Sequence, residues 1–358
     1  MDSIGPLRIV LVAPPYFNIP PAAYGGIEAV VADLADALVD RGHRVTLIAN
    51  GPNGTKAEFI SLSPDIQAHR LGQPFPEVAH AAAVHTVITR LAEQDRVDVV
   101  HDHTLAGPLN APFFRTLGLP TVVTAHGPVA GDMLDLYRTL GKEVFFVAIS
   151  DRQRELAPEL NWIGTVHNAV RTATFPYRDR LQKKNYALFL GRFHPEKGPH
   201  LALDAAHAAG LPLVLAGKVN ELPEQAYFEA EIRPRLTDTD YMFGMADAAQ
   251  KRKLLSEARC LLFPVQWEEP FGMVMIEAMA CGTPVVALRG GAVAEVVEHG
   301  VTGLICDHPD KLAKALVEVD SVDPVDCRAR VESLFDVDRL GSGYESMYRE
   351  AIAAVGLP

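Results

Sequence analysis

The sequence predicts an α/β protein built from two doubly wound, Rossmann-like parallel-sheet domains. Three observations carry that prediction. Strand-like and helix-like segments alternate nearly from end to end. The strand-like segments are continuous apolar runs, as expected for strands covered on both faces. The charged, irregular stretch "RTATFPYRDRLQKKN" divides the alternation into two series.

The first series opens with "RIVLVA", followed by a proline-rich loop and "GGIEAVVADLADALVDRG". There Ile27, Val30, Val31, Leu34, Ala35 and Leu38 fall at helical spacing, and Gly42 supplies a stop. Strands are expected in "HRVTLIA", "VDVVHDH", "PTVVTAHG" and "EVFFVAIS", and "GTVHNAV" closes the series. The second series runs through the strand "YALFLGR", the helix "PHLALDAAHAAG" and the strands "LPLVLAGK", "ARCLLFPV" and "GTPVVAL". The boundaries that follow are residues 1–170, 171–335 and a terminal segment 336–358, where "GSGYESMYREAIAA" reads as a helix. The units differ in length and sequence, which excludes a short-period repeat.

At 358 residues, with 48% hydrophobic and 22% charged residues, the chain can hold two sizeable cores. A formal charge of −12 argues against nucleic acid as a partner, because phosphate binding needs basic surface. It also weakens a case for anionic lipid, although peripheral membrane contact stays open. Cys260, Cys281, Cys306 and Cys327 lack close paired spacing and read as reduced core cysteines. "LRIVLVAPP" is too short for a signal segment, and no run approaches the roughly 20 apolar residues of a membrane span. A cytoplasmic location is expected.

Open α/β sheets bind ligands beyond the carboxyl ends of their strands, so the residues just after each strand are the ones to examine. In "YGGIE", Gly25 and Gly26 precede a helix, where bare backbone can approach a phosphate. A tight turn into the helix is the equal alternative, and the stretch is not the G-x-G-x-x-G of a dinucleotide site. In "LGRFHPEKG", Arg192 and Lys197 stand either side of a turn that would fold both cations toward a diphosphate. Read alone, two such cations are more often solvated surface.

"QWEEPFGMVMIEAMACGTPVVA" starts a helix near Phe271 or Gly272, whose first N–H groups at Phe271, Gly272 and Met273 would be open to an anion. Glu277 falls between apolar neighbours and needs a cation or hydrogen-bond donors, such as the two hydroxyls of a ribose. A structural carboxylate capping a loop is the alternative. Glu269 precedes the helix, either facing a donor sugar or lying in solvent, and Glu268 is given no role. Paired carboxylates also suit a glycoside hydrolase, but such an enzyme has no need of an anion-binding helix start and basic loop.

In the first series His101, Asp102 and His103 follow an apolar strand, with both histidines expected on one face. No further ligand cluster accompanies them, so a metal is not expected, leaving acceptor binding or a structural role. His126 follows the next strand at a comparable depth. Tyr16, Phe17 and Tyr24, in "PPYFNIPPAAYGG", either pack locally or line an acceptor pocket.

"GRFHPEKG" and "EPFGMVMIEAMACGTPVVA", supported by "YGGIEAVVADLADALVDRGHRVTLIA", "DVVHDH", "TAHG" and "AISD", give the chain a resemblance over nearly its whole length. It resembles the retaining glycosyltransferases of family four, whose GT-B fold sets two facing Rossmann-like domains about an inter-domain cleft. The spacing from Glu269 to Glu277 inside that flanking sequence is the most specific sign; the isolated histidines are weak ones. Ala169 stands where such proteins commonly carry glycine.

The resemblance implies transfer of a hexose from a nucleotide-diphosphate sugar to an acceptor hydroxyl; UDP-glucose and GDP-mannose types both fit, and uridine is our preference. It implies retention of configuration, no metal and no cofactor, the nucleotide sugar being a co-substrate. Candidate catalytic residues are Glu269, His126, Arg192 and Lys197. Arg192 and Lys197 would take the diphosphate, the amides from Phe271 through Gly272 to Met273 the sugar or phosphate, Glu269 the sugar hydroxyls and Glu277 the ribose. Gly26 would let the first domain approach the phosphate, and His126 would lie near the transferred sugar. Asp102, His103 and Tyr24 are the acceptor-side candidates. The terminal helix is expected to cross back to the first domain, as in relatives. Rivals are a nucleotide-sugar epimerase or phosphorylase on the same frame, and a non-catalytic nucleotide-sugar binding protein.

Overall fold

"RIVLV" forms strand β1 (Arg8–Val12) at the centre of a seven-stranded parallel sheet, its last four residues fully buried. Such a run has no polar face to offer water, so helices must cover both sides. The computed structural model describes residues 5–23, 25–219 and 221–356. The chain divides into two units, 1–169 with 337–358, and 170–336. Val170 falls in the second unit, where its N–H donates to the Phe335 carbonyl.

The first unit contains β1, β2 (Arg44–Ala49), β3 (Glu58–Ser61), β4 (Val99–Asp102), β5 (Thr121–Ala125), β6 (Phe145–Ala148) and β7 (Trp162–Thr165). Its helices are α1 (Gly26–Asp40), α2 (Pro74–Glu93), α3 (Ala111–Thr116), α4 (Gly131–Leu140) and α5 (Asp151–Leu156). The strand order β3-β2-β1-β4-β5-β6-β7 reverses between β1 and β4. Loops after those two strands therefore diverge and leave a crevice at the carboxyl edge.

The second unit holds β8 (Ala187–Leu190), β9 (Leu213–Ala216), β10 (Tyr241–Gly244), β11 (Cys260–Phe263), β12 (Val285–Leu288) and β13 (Gly303–Cys306). Between and around them lie α6 (Pro199–Ala208), α7 (Leu222–Tyr227), α8 (Ala248–Glu257), α9 (Met273–Ala280), α10 (Val293–Val296), α11 (Leu312–Glu318) and α12 (Pro324–Leu334). The order β10-β9-β8-β11-β12-β13 reverses between β8 and β11. The last helix, α13 (Val337–Val355), belongs to the first unit and packs on α1, β4, β5 and β7.

Strands β3, β10 and β13 and helices α2–α5, α7, α8 and α10–α12 are additions to the elements read from sequence. The three strands are sheet edges, each with half-buried or exposed positions that blur the apolar run. In α2 the buried stripe of His80, Ala81, Val84, Ile88 and Leu91 has helical spacing, but Glu77 and His80 bring polar atoms into it. The strand expected over 164–170 is instead β7, Trp162–Thr165. The chain leaves the sheet before His167, and Val170 bridges to Asp336.

Candidate active site

Both crevices carry the residues of interest. In the second unit the turn after β8 is tied to the loop after β11. The Gln266 N–H donates to the Glu196 carbonyl at 2.7 Å, and its side-chain amide donates to the Pro195 carbonyl at 2.9 Å. This zipper fixes Lys197 beside the "QWEEP" loop. Lys197 Nζ lies 2.5 Å from Glu269 Oε2 and 4.7 Å from the Trp267 ring centroid. Trp267 Nε1–H donates to the same carboxylate oxygen at 2.8 Å. Glu269 is 8% exposed, so the ammonium and the indole replace most of its lost water.

Glu269 is held from behind as well. Its carbonyl accepts the Ala292 N–H at 2.9 Å, and Glu268 Oε2 accepts the Gly291 N–H at 3.2 Å. Glu268, which carried no role in the sequence reading, thus clamps its loop to the one after β12. Arg192, half-buried at the end of β8, has no side-chain partner among the described residues. Of the two cations expected to meet a diphosphate, one is already in an ion pair and the other is unpaired.

Helix α9 starts after Gly272, whose φ of +84° is a left-handed conformation that a Cβ would strain. A Cβ there would also meet Met275 Cε at 2.6 Å. Gly272, Met273 and Val274 are half-buried, and every residue from Met275 to Ala280 is buried. No acceptor for the N–H of Gly272 or Met273 is found among the described residues, so the positive end of this helix opens to the loop. Phe271 turns its ring inward against Phe335, with centroids 5.9 Å apart. A helix apolar on all sides is a core helix, and Glu277 is its one charged residue.

Glu277 is 8% exposed and meets Lys251 of α8, whose Nζ lies 2.5 Å from Oε1. Of the cation or hydrogen-bond donors that this carboxylate requires, Lys251 supplies the cation, on one of its two oxygens. Sequence reading missed Lys251 because "KRK" at 251–253 looks like a solvated cationic run. The usable signal was the demand for a counter-charge made by a carboxylate among apolar neighbours.

In the first unit Gly26 is the first residue of α1, and a Cβ on it would meet nothing within 4 Å. The positive φ of +136° falls on Gly25, against Pro21 and the Glu28 carboxyl. Tyr24 lies outside the described residues. Tyr16 is buried, its hydroxyl 3.5 Å from the carbonyl of Gln73, 57 positions along the chain.

The three strand-end histidines separate into two roles. His101 is fully buried, with Nδ1 2.7 Å from the Tyr348 hydroxyl and Nε2 2.7 Å from Thr124 Oγ1, which in turn meets the Tyr344 hydroxyl. Both nitrogens are consumed in fastening α13 to the sheet. His103 stacks near His101 and meets His126, Nδ1 to Nε2, at 2.8 Å. Burial holds the His126 imidazole down to about 4 and that of His103 well below its usual value, so both are neutral near pH 7. His103 Nε2 is buried without a partner.

Asp102 goes elsewhere. Its Oδ1 accepts the N–H and hydroxyl of Thr104 at 2.8 and 2.7 Å, and its Oδ2 is buried without a partner. Burial raises the carboxyl to about 7, against the opposing pull of the Thr104 bonds. Glu28 is likewise raised to about 7 by burial, and the nearby charge of Glu77 adds to the rise. Among the described residues no group of three or more His, Cys, Asp or Glu side chains is arranged to hold a metal. Nor is any described helix long and apolar enough to cross a membrane.

Comparison with known proteins matches both halves. Residues 24–172 fit the model of Glycosyltransferase Family 4, and residues 171–321 that of Glycosyl transferases group 1. Glycogen synthase of Mycobacterium tuberculosis is 26% identical over 401 residues, covering 96% of this chain and 95% of its own. Phosphatidyl-myo-inositol mannosyltransferase of Mycolicibacterium smegmatis is 28% identical over 350 residues, covering 87% and 84%. AviGT4, a glycosyltransferase involved in avilamycin A biosynthesis, superposes with a TM-score of 0.72 at 26% identity over 98% of this chain and 99% of its own. Anabaena HepE in complex with UDP and glucose gives 0.74 at 19% identity over 96% and 100%, a likeness of fold. The two models run without a gap from 24 to 321 over two doubly wound sheets, and the chain belongs to the GT-B glycosyltransferases of family four.

Proposed function

We propose that this glycosyltransferase moves a hexose from a nucleoside-diphosphate sugar to an acceptor hydroxyl, with retention of configuration and without a resident metal. The observation that carries the reading is the Lys197–Glu269 pair in the loops at the start of α9, with Arg192 on the same turn after β8 as Lys197 and without a side-chain partner among the described residues. An anion entering there meets a fixed cation and unpaired N–H groups, which would stabilise the charge that grows on a leaving diphosphate. Arg192 takes the diphosphate, with Lys197 adding to the field while it holds Glu269. Glu269 orients the sugar hydroxyls, and Glu277 receives the ribose. In the first domain we assign His126 to the transferred sugar, Gly26 to the approach to the phosphate, and Asp102, His103 and Tyr24 to the acceptor.

UDP-glucose and GDP-mannose types remain the donors to test, uridine first. HepE, which shares the fold, was crystallised with UDP and glucose, whereas the mycobacterial relative is named for mannosyl transfer. We place the reaction in the cytoplasm; the four cysteines are free and buried, which suits a reducing compartment.

The test is a panel of nucleotide sugars, followed by release of nucleoside diphosphate and by NMR of the product's anomeric centre. Turnover that survives EDTA and gives a retained anomer is expected. An inverted anomer overturns retention, and loss of turnover in EDTA overturns metal independence. Thermal stabilisation by a donor that stays intact with every acceptor would instead mark a binding protein.

A further inference from the structure

The chain enters β8, β11 and β12 at the amino edge of the second sheet, the edge opposite Arg192, Lys197 and the start of α9. A cavity of about 260 Å³ opens there, lined by Arg180, Lys183, Lys184 and Arg259, with Asp320 as the one acid in its wall. Acidic side chains outnumber basic ones by 45 to 33 over the whole chain, so this pocket runs against the sign of the molecule. Its counter-charges do not balance it. Arg259 pairs with Asp320, at 3.0 and 2.9 Å, and Lys184 with Glu257 at 2.7 Å. Arg180 meets only the Val322 carbonyl, through Nη2 at 2.9 Å, so Nε and Nη1 are unspent among the described residues. Lys183 Nζ meets only neutral oxygens: Thr283 Oγ1 at 2.7 Å and the carbonyls of Ser256 and Cys281 at 3.2 and 3.5 Å. Two of the four cations thus have no carboxylate. A cavity at the amino edge of the first sheet gives the contrast. It too is lined by four cations, Arg8, Arg44, Lys56 and Arg96, but three of them are in ion pairs with Asp95 and Asp98, Asp40 and Glu58.

We propose that the cavity at the amino edge of the second sheet binds a small phosphate-bearing anion, with Arg180 and Lys184 donating to its oxygens and Lys183 supplying the uncompensated charge. Free phosphate and a phosphomonoester share the chemistry required, a tetrahedral dianion. The guanidinium presents a fork to two of its oxygens, and the ammonium of Lys184 keeps two donors beyond its bond to Glu257. The site lies at the other edge of the sheet from the donor residues, so its occupant is not a substrate of the transfer. Lys183 gives the site a signature. Besides the cavity's own charges, the groups around it are Arg178 and the thiols of Cys281, Cys327 and Cys260, which burial raises to about 12 and so keeps neutral. Burial pushes the Lys183 ammonium down to about 8. An anion in the cavity opposes that shift, so its binding near pH 8 draws a proton onto Lys183.

The experiment is calorimetric titration of the full chain with sulfate, inorganic phosphate and glycerol 3-phosphate at fixed ionic strength, with and without saturating UDP. All three are expected to bind whether or not UDP is present. R180M and K184M should each weaken sulfate about tenfold, the loss expected for hydrogen bonds between charged groups. Sulfate does not titrate near pH 8, so the dependence of its binding heat on the buffer reads protons taken up by the protein. About half a proton is expected at pH 8, where half of the Lys183 side chains are neutral, and K183M should abolish the uptake. Equal affinity for phosphate and glycerol 3-phosphate supports a site for the bare dianion, and a tenfold preference for the ester supports a phosphomonoester. Absence of binding overturns the proposal, as does binding that UDP competes away, which belongs to the donor crevice. Binding untouched by R180M and K184M reveals an adventitious ion only and overturns it too. Sulfate bound without proton uptake, or uptake that survives K183M, overturns the part given to Lys183. Should K183M fail to fold, R180M and K184M, both substitutions of exposed side chains, decide the site, and K183Q is read for the proton.

Discussion

Glu269 Oε2 receives both the Lys197 ammonium, at 2.5 Å, and the Trp267 indole N–H, at 2.8 Å. One carboxylate oxygen is thus fully occupied by the protein, while Oε1 has no side-chain partner among the described residues. E269A should lower kcat about 100-fold or more, the usual effect of removing a group that acts on the transition state, with a smaller change in the affinity for nucleoside diphosphate. It also strands the Lys197 ammonium, costing about 2 kcal/mol of stability, below the fully buried case because Lys197 is 18% exposed. Steady-state kinetics and urea unfolding check the two effects separately.

Arg192 has no side-chain partner among the described residues, so the proposed diphosphate would displace none of them. R192A should weaken UDP binding about tenfold or more, as expected for loss of hydrogen bonds to a charged group, and weaken uridine binding little. Titration calorimetry with the two ligands reads the difference. Equal losses would show that Arg192 does not meet the phosphates.

His101 and His126 lie on neighbouring strands and should respond oppositely. H101A removes the link between Tyr348 and Thr124, leaving buried hydroxyls to find new partners, at a cost of about 1–3 kcal/mol per unsatisfied group. Its Tm should fall well below that of H126A. H126A should lose activity with little change in Tm. Differential scanning fluorimetry and transfer assays on both variants test this.

Asp102 makes stability depend on pH. Its carboxyl is raised to about 7 in the folded chain, against about 4 when unfolded. The protonated form thus favours the fold: its contribution is complete below about pH 4 and is lost as pH rises through about 7. D102N does not titrate and keeps an oxygen for the Thr104 N–H. Its Tm relative to the unsubstituted protein should rise from pH 4 to pH 7 and then level off. A difference that does not change with pH would show that Asp102 is ionised throughout. Thermal melts at pH 5 and pH 8 suffice.

The central strands were legible because each is a short apolar run, and helix α1 because six apolar residues repeat at its period. Edge strands β3, β10 and β13 were not: each is only four residues long, and β3 and β10 carry exposed or half-buried positions throughout. Helix α2 was hidden by polar atoms in its own buried stripe, where Glu77 and His80 find partners or lose their charge by burial.

The candidate site divides in the same way. Glu269, Glu277, Arg192 and the start of α9 stand out along the chain because glycine, proline and charge interrupt apolar runs at strand ends. By itself the sequence determined the two doubly wound sheets, the loops that matter and the residue types in them. Tertiary structure alone decided the pairings: Lys197 with Glu269 across 72 positions, Lys251 with Glu277 across 26, and His101 with Tyr348 across 247. The physical reason is that a buried charge or imidazole requires a partner, while the chain's local pattern leaves open which one; only packing the strands and helices brings a particular donor within 3 Å.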